Sequence, residues 1–342
     1  MPWIIFFIVI LKMLPMKYWI LTATCLGVLV GCQSVPHSTA QPVALPIETT
    51  TVIANEEEAQ SRPNLINFEQ IKQKQHRPVV ALVLGSGGAR GYAHIGAIQV
   101  LEEHGIHPDF IVGTSAGSIV GALYASGKSP EQIKDIALNM KVQDVREITL
   151  RKNGFLDGSK VERFINDQID HLPLEKMKIP LFVVATELKE GKKVVFNYGN
   201  TGQAVRASSA IPSMFIPTMI QNKEYVDGGL VSPVPVDVAR QLGADIVIAV
   251  DILAQPQYTE TTNMWGLFNQ NINIMQQQLS RVELSHADVI IQPDLREKAH
   301  IFDVTERDRT RLAGVYATQA KLEDIEQVIR DKEEQLLVVA RS

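Results

Sequence analysis

Beyond residue 32 the 342-residue chain contains no cysteine; its only two are Cys25 and Cys32. A cysteine-ligated zinc site and a disulfide-stapled core are therefore excluded for the rest of the molecule. Positive charge is also short. Lysine and arginine number 33 against 38 aspartate and glutamate, a net charge of −5. A nucleic-acid binder needs a basic face to neutralise phosphates, so that class is excluded as well. No internal repeat is visible. The hydrophobic share is 45% and the charged share 21%, proportions of a globular chain and not of a disordered or multi-pass membrane protein.

The first 31 residues lack acids altogether, carry Lys12 and Lys17, and run apolar from Tyr18 to Val30. A basic segment followed by a short apolar one and a small residue is the pattern of a secretory signal, and the apolar run falls short of the ~20 residues a membrane-spanning helix needs. From Gln33 to about Pro78 there is no hydrophobic period. Pro36, Pro42, Pro46 and Pro63, a threonine triplet and Glu56-Glu57-Glu58 give linker composition, and a coil of this length spans roughly 35–40 Å. The expected organisation is a signal over 1–31, with 1–15 outside an ordinary signal that starts at Met16. A flexible tether follows over 32–77, one folded domain over 78–320 and a helical extension over 321–342.

Within the folded part, strand-like and helix-like segments alternate. Short apolar runs at 78–84, 110–112, 180–186, 245–250 and 288–291 read as strands buried on both faces. Helical spacing occurs at 90–104, 116–125, 160–170, 235–242, 264–284 and 306–335. This alternation predicts an α/β fold, a mostly parallel sheet with helices on both faces.

Three glycine-rich corners interrupt it. Gly85-Ser86-Gly87-Gly88-Ala89-Arg90-Gly91 follows the first strand and opens a helix, where outward backbone N–H groups suit an anion. A dinucleotide reading fails: Arg90 stands at the third glycine position, and Asp109 precedes its strand instead of ending it. Gly113-Thr114-Ser115-Ala116-Gly117 is Gly-x-Ser-x-Gly between strand and helix, the context that exposes a serine nucleophile. Asp227-Gly228-Gly229 ends a short strand-like stretch at 223–226 and by itself is only a turn signal. A Ser–Asp–His triad would need His286 or His300, neither of which lies in a motif, and His94 sits at helical spacing as a packing residue.

The order of these corners resembles the patatin-like phospholipases over roughly residues 78–320. Further elements of the resemblance are His94-Ile95-Gly96, the Ser-Ser-Ala-Ile-Pro segment at 208–212, and Ala287-Asp288-Val289-Ile290 followed by Pro293-Asp294. One departure is Ser86, where that family's loop often begins with glycine. The resemblance implies a three-layer α/β/α fold and a membrane-tethered serine hydrolase that cleaves fatty-acyl esters of phospholipids or lysophospholipids. It works through an acyl-enzyme, with Ser115 as nucleophile and Asp227 as proton acceptor. Gly87, Gly88, Ala89 and Arg90 are then the oxyanion loop, and Gly113, Gly117, Gly228 and Gly229 the motif glycines. No metal, cofactor, nucleotide or nucleic acid is implied. Two other readings stand beside it: a Ser–Asp–His esterase, and a non-catalytic lipid-binding envelope protein. Met214, Phe215, Ile216 and the apolar residues of 264–275 are candidates for an acyl pocket or lid. Leu29-Val30-Gly31-Cys32 resembles a bacterial lipobox, which implies cleavage before Cys32, lipidation of Cys32 and attachment to the cell envelope. With Gln33 next, the outer membrane is favoured in a two-membrane cell.

Overall fold

A computed structural model describes residues 50–51, 77–141, 148–151, 154–259, 261–296 and 306–341. All fall within one unit, Glu48–Ser342. The signal, Cys32 and His300 lie outside the described residues, as does the tether except for Arg77 and for Thr50–Thr51 (β1), which pairs in parallel with Val194–Val195.

Nine strands form one mixed sheet among the described residues. Its central path comprises β2 (Val80–Leu84), β3 (Phe110–Thr114), β6 (Leu181–Glu187), β7 (Lys192–Phe196), β10 (Ile246–Val250) and β11 (Val289–Ile291). These run in the order β1-β7-β6-β3-β2-β10-β11. The pairs β11–β10–β2–β3–β6 are parallel. Antiparallel pairing is confined to β6–β7, to β9 (Lys223–Asp227) on β6, and to β8 (Thr218–Ile220) on β9. β4 (Ile148–Arg151) and β5 (Gly154–Leu156) make a separate hairpin.

The strands are apolar throughout because alternate residues feed two cores. Leu82, Leu84, Ile111, Val183 and Ile248 point into one. Ala81, Val83, Val112, Val184 and Val247 point into the other. The first core is roofed by α1 (Tyr92–Glu103), α2 (Ala116–Ala125), α4 (Ser159–Gln168) and α5 (Thr201–Ser208). The second takes Val236, Val238 and Ala239 of α6 (Val236–Gln241) and Leu284 at the end of α7 (Met264–Leu284). The expected α/β/α class is therefore present, with helices on both faces of the sheet.

Several elements differ from expectation. Strand β7 and the helices α3 (Pro130–Asn139) and α5 were not anticipated, although α3 opens on a complete capping box, Ser129 with Gln132, and a proline at its first position. The segment 90–104 divides into a short 3₁₀ turn, Gly88–Gly91, and then α1. The segment 306–335 divides into α8 (Arg307–Gln319) and α9 (Leu322–Arg341). The expected extension begins inside the fold, since Ile325 of α9 is completely buried in the first core.

Candidate active site

Strand β6 assembles the site. Its lower half pairs with β3, which stops at Thr114 opposite Val184. Its upper half pairs with β9, which arrives from the other direction and stops at Asp227 opposite Ala185. Consecutive residues of β6 thus bring together the ends of two strands, Thr114 and Asp227, that are far apart in the chain. Ser115 Oγ–H donates to Asp227 Oδ2 at 2.6 Å, and both residues are buried.

Local chemistry fixes each partner. Ser115 has φ 53° and ψ −117°, a strained conformation between strand and helix that pushes its side chain away from both. Its backbone N–H donates to Ser208 Oγ at 2.8 Å, and the Ser208 hydroxyl donates to the Val184 carbonyl at 2.6 Å. Its carbonyl accepts from Ser118 Oγ at 2.7 Å. Asp227 is clamped along its backbone: its N–H donates to the Ala210 carbonyl at 2.9 Å, and its carbonyl accepts from Thr186 Oγ1 at 2.8 Å. Its second carboxylate oxygen, Oδ1, accepts the Gly229 N–H at 2.7 Å. Burial pushes the carboxyl up to about 6, a rise that the hydrogen bonds from Ser115 and Gly229 only partly offset.

Ser208 was legible only as one of a run of small residues; its role depends on a contact across 93 positions. Ser208→Ala would leave the Ser115 N–H buried without its partner, at a cost of about 1–3 kcal/mol. We expect a lower urea midpoint and slower labelling of Ser115 by a fluorophosphonate, with Ser208→Thr restoring both.

The glycine loop lies beside the pair. Gly88 and Ala89 line the same cavity as Ser115. The N–H groups that open a helical turn have no acceptor within it, and these two residues open the 3₁₀ turn. Gly87 and Arg90 stand behind them. The Gly87 carbonyl accepts the Arg90 N–H at 3.2 Å, and Gly87 packs against Ile252. Arg90 is not an exposed first-turn arginine: it is 1% exposed, and desolvation lowers its guanidinium to about 10 against the opposing pull of Asp251. Asp251, at the end of β10, is itself fixed by the Leu253 N–H and the Gln292 side chain. His94 Nε2 donates to the Gly85 carbonyl at 2.8 Å, and burial lowers the ring to about 4, so it braces the loop as a neutral imidazole.

No histidine among the described residues bonds Ser115 or Asp227. His286 pairs instead with Asp237 at 3.0 Å on the surface. Ser115 opens onto a cavity of about 220 Å³ walled almost entirely by apolar side chains from α1 to α4, among them Ile95, Ile119, Leu123, Ile136 and Phe164, with Leu156 of β5 and Phe215. Of the expected pocket residues only Phe215 takes part. Among the described residues, Met214, Ile216 and those of the 264–275 segment are not in its walls; α7 packs on the turn that follows Asp227.

Fold and site together define an α/β/α protein with a serine–carboxylate pair at the carboxyl ends of its strands. Residues 82–240 match the family described as patatin-like phospholipase, which supports a patatin-like phospholipase domain at this place in the chain. An uncharacterised NTE family protein of Mycobacterium tuberculosis is 37% identical over 178 residues, 51% of this chain and 49% of that protein. Human patatin-like phospholipase domain-containing protein 6 is 33% identical over 221 residues, 60% of this chain and 16% of that protein. The chain thus spans about half the length of the mycobacterial relative and less of the human one. Among solved structures, VipD from Legionella pneumophila aligns over 75% of this chain and 67% of its own, at 14% identity and a TM-score of 0.47.

Proposed function

We propose that this protein is a membrane-tethered lipid acyl hydrolase that cleaves fatty-acyl esters of phospholipids or lysophospholipids. The observation that carries the reading is the 2.6 Å bond from Ser115 to Asp227 at the wall of an apolar cavity. Asp227 takes the Ser115 proton as Oγ attacks the ester carbonyl, and the Gly88 and Ala89 N–H groups receive the developing oxyanion. Collapse breaks the acyl–oxygen bond, and the leaving alcohol takes the proton from Asp227. Water, deprotonated by the same carboxylate, then attacks the acyl-Ser115 ester; the acyl–Oγ bond breaks, Ser115 Oγ takes the proton back from Asp227, and the fatty acid leaves. A carboxyl near 6 is a better base than one near 4 and is still ionised at neutral pH. The direct test is release of fatty acid from phospholipid and lysophospholipid vesicles, together with fluorophosphonate labelling mapped to Ser115.

The cavity is the right kind of surface for an acyl chain, since each methylene buried there contributes about 0.8 kcal/mol. Ile119→Trp would fill it from α2. The expected result is about a tenfold or larger fall in kcat/KM for a sixteen-carbon ester relative to a four-carbon one, read from a chain-length series.

Cys32 would carry the lipid that holds the domain on the cell envelope, with the outer membrane favoured in a two-membrane cell. Labelled palmitate should enter the protein in bacteria and be lost in Cys32→Ala. Attachment raises the effective concentration of bilayer lipid.

A further inference from the structure

We propose that the outward face of α7 is a lipid-docking surface that seats the active site on a bilayer, an inference that rests on the lipid-hydrolase reading. This helix is inside out. A surface helix ordinarily turns its apolar stripe to the core, but here Asn269, Asn273, Gln276, Ser280 and Glu283 are buried. Met264, Leu267, Ile274, Met275, Leu279 and Val282 stand in solvent, Met264 at 85% exposure and Val282 at 63%. The exposed residues recur at helical spacing along about 27 Å of helix, interspersed with the neutral amides Asn271 and Gln278.

The buried polar row is fastened to the catalytic turn. Glu283 accepts from Ser232 Oγ and, at 3.0 Å, from the Val234 N–H. Lys193 Nζ lies 3.7 Å from the same carboxylate. Ser232 in turn accepts from Thr114, the residue before the nucleophile, and Gln276 packs at Gly229. The polar side of α7 therefore serves the site, and its apolar side is left to solvent.

Charge selects the occupant. The exposed part of the helix contains no carboxylate: its one acid, Glu283, is buried, while Arg281 is exposed. In a chain of net charge −5, an acid-free apolar face with an arginine beside it suits a lipid surface, with side chains in the acyl boundary and the guanidinium at phosphate.

The test uses the mature chain without residues 1–31 and with Cys32→Ser, which removes the apolar signal, the lipid anchor and both native thiols. Met275→Cys or Met264→Cys then carries an environment-sensitive fluorophore, and Glu326→Cys on α9 serves as control. Vesicles of ether-linked phosphatidylglycerol and phosphatidylcholine cannot be hydrolysed at an acyl ester, so docking is read independently of catalysis. A blue shift with a several-fold intensity gain at 275 and 264, absent at 326, is the expected result. Joint replacement of Leu267, Ile274, Leu279 and Val282 by glutamine should lower vesicle partitioning about tenfold or more. No shift at either position, or partitioning unchanged in the quadruple variant, would overturn the proposal. So would a shift that needs no lipid and grows with protein concentration, which would assign the face to self-association. Docking on these vesicles with no fatty acid released from ester-linked vesicles of the same head groups would sink the hydrolase reading and leave the surface standing.

Discussion

Ser115→Ala and Asp227→Asn should each lower phospholipid hydrolysis by about 10⁴-fold or more, and the double variant should be little worse than either single one. Residues that act as one unit are lost together, so the effects do not add. Asp227→Asn keeps the shape of the side chain and an acceptor for the Ser115 hydroxyl, but its amide oxygen is too weak a base to take the proton. Fluorophosphonate labelling should vanish in the serine variant and fall steeply in the asparagine one. The wild-type profile has a defined form. Catalysis needs the ionised carboxylate, and burial holds Asp227 at about 6. The kcat/KM should therefore be flat above pH 7 and fall tenfold per pH unit below about 6. A profile indifferent to pH between 5 and 8 would remove Asp227 from the role of base.

The same burial makes a stability prediction of opposite sign. A carboxyl raised from its ordinary 3.8 to about 6 binds a proton in the folded state that the unfolded chain has already released. Stability is consequently lost as pH climbs between those values and stays lost above them. Asp227→Asn abolishes that penalty and should melt higher than wild type at pH 8, by up to about 3 kcal/mol. The difference should shrink toward pH 4. An inactive variant more stable than its parent is the signature of a site held under electrostatic strain.

Gly117→Ala should be among the most destructive single methyls in the domain. Helix α2 rests so closely on β2 that a Cβ at position 117 would overlap the Leu84 backbone carbonyl. Backbone cannot swing aside as a side chain can, so the helix must lift and take Ser115 with it. We expect a loss of about 3 kcal/mol or more in urea unfolding, with labelling at Ser115 abolished in whatever remains folded. The comparison lies one turn further along the same helix. At Gly121 the nearest atoms a Cβ would meet are methyl ends, those of Leu181, Ile111 and Leu84, at 3.3–3.6 Å. Gly121→Ala should be near neutral, since the gain in helix propensity, about 1 kcal/mol, offsets the tight fit. Equal losses at both positions would show that close approach at 117 is not what the glycine provides.

Much of this was legible in the residues themselves. Continuous apolar runs such as Val80–Leu84 and Ile246–Val250 announce strands covered on both faces. Gly-x-Ser-x-Gly announces a tight turn with an exposed hydroxyl, because the constraint is local: only glycine fits where helix and strand touch. The limits of α2 and α7 are as the spacing indicates. What escaped has a common cause. Strand β7, Lys-Lys-Val-Val-Phe, is short and shows no alternation, and it exists because β6 offers it an edge. Likewise the bond of Ser208 to the Ser115 N–H leaves no mark in the run of small residues around it.

By itself, then, the amino-acid sequence determined the α/β class, the positions of the three glycine corners and the serine in its strand–turn–helix context. Each of these follows from chemistry within a few residues of chain. Asp227 read alone is a turn signal and becomes a partner for Ser115 only through the family resemblance. Only the tertiary structure decided that Thr114 and Asp227 meet on neighbouring residues of β6 and that Arg90 lies buried behind its loop. It also decided that the acyl-sized cavity is walled by α1 to α4. Helix α7 shows the reason most plainly: a periodic pattern reveals that a helix has an apolar side, but which side faces inward depends on what the rest of the chain sets against it, and here that is the polar turn that follows Asp227.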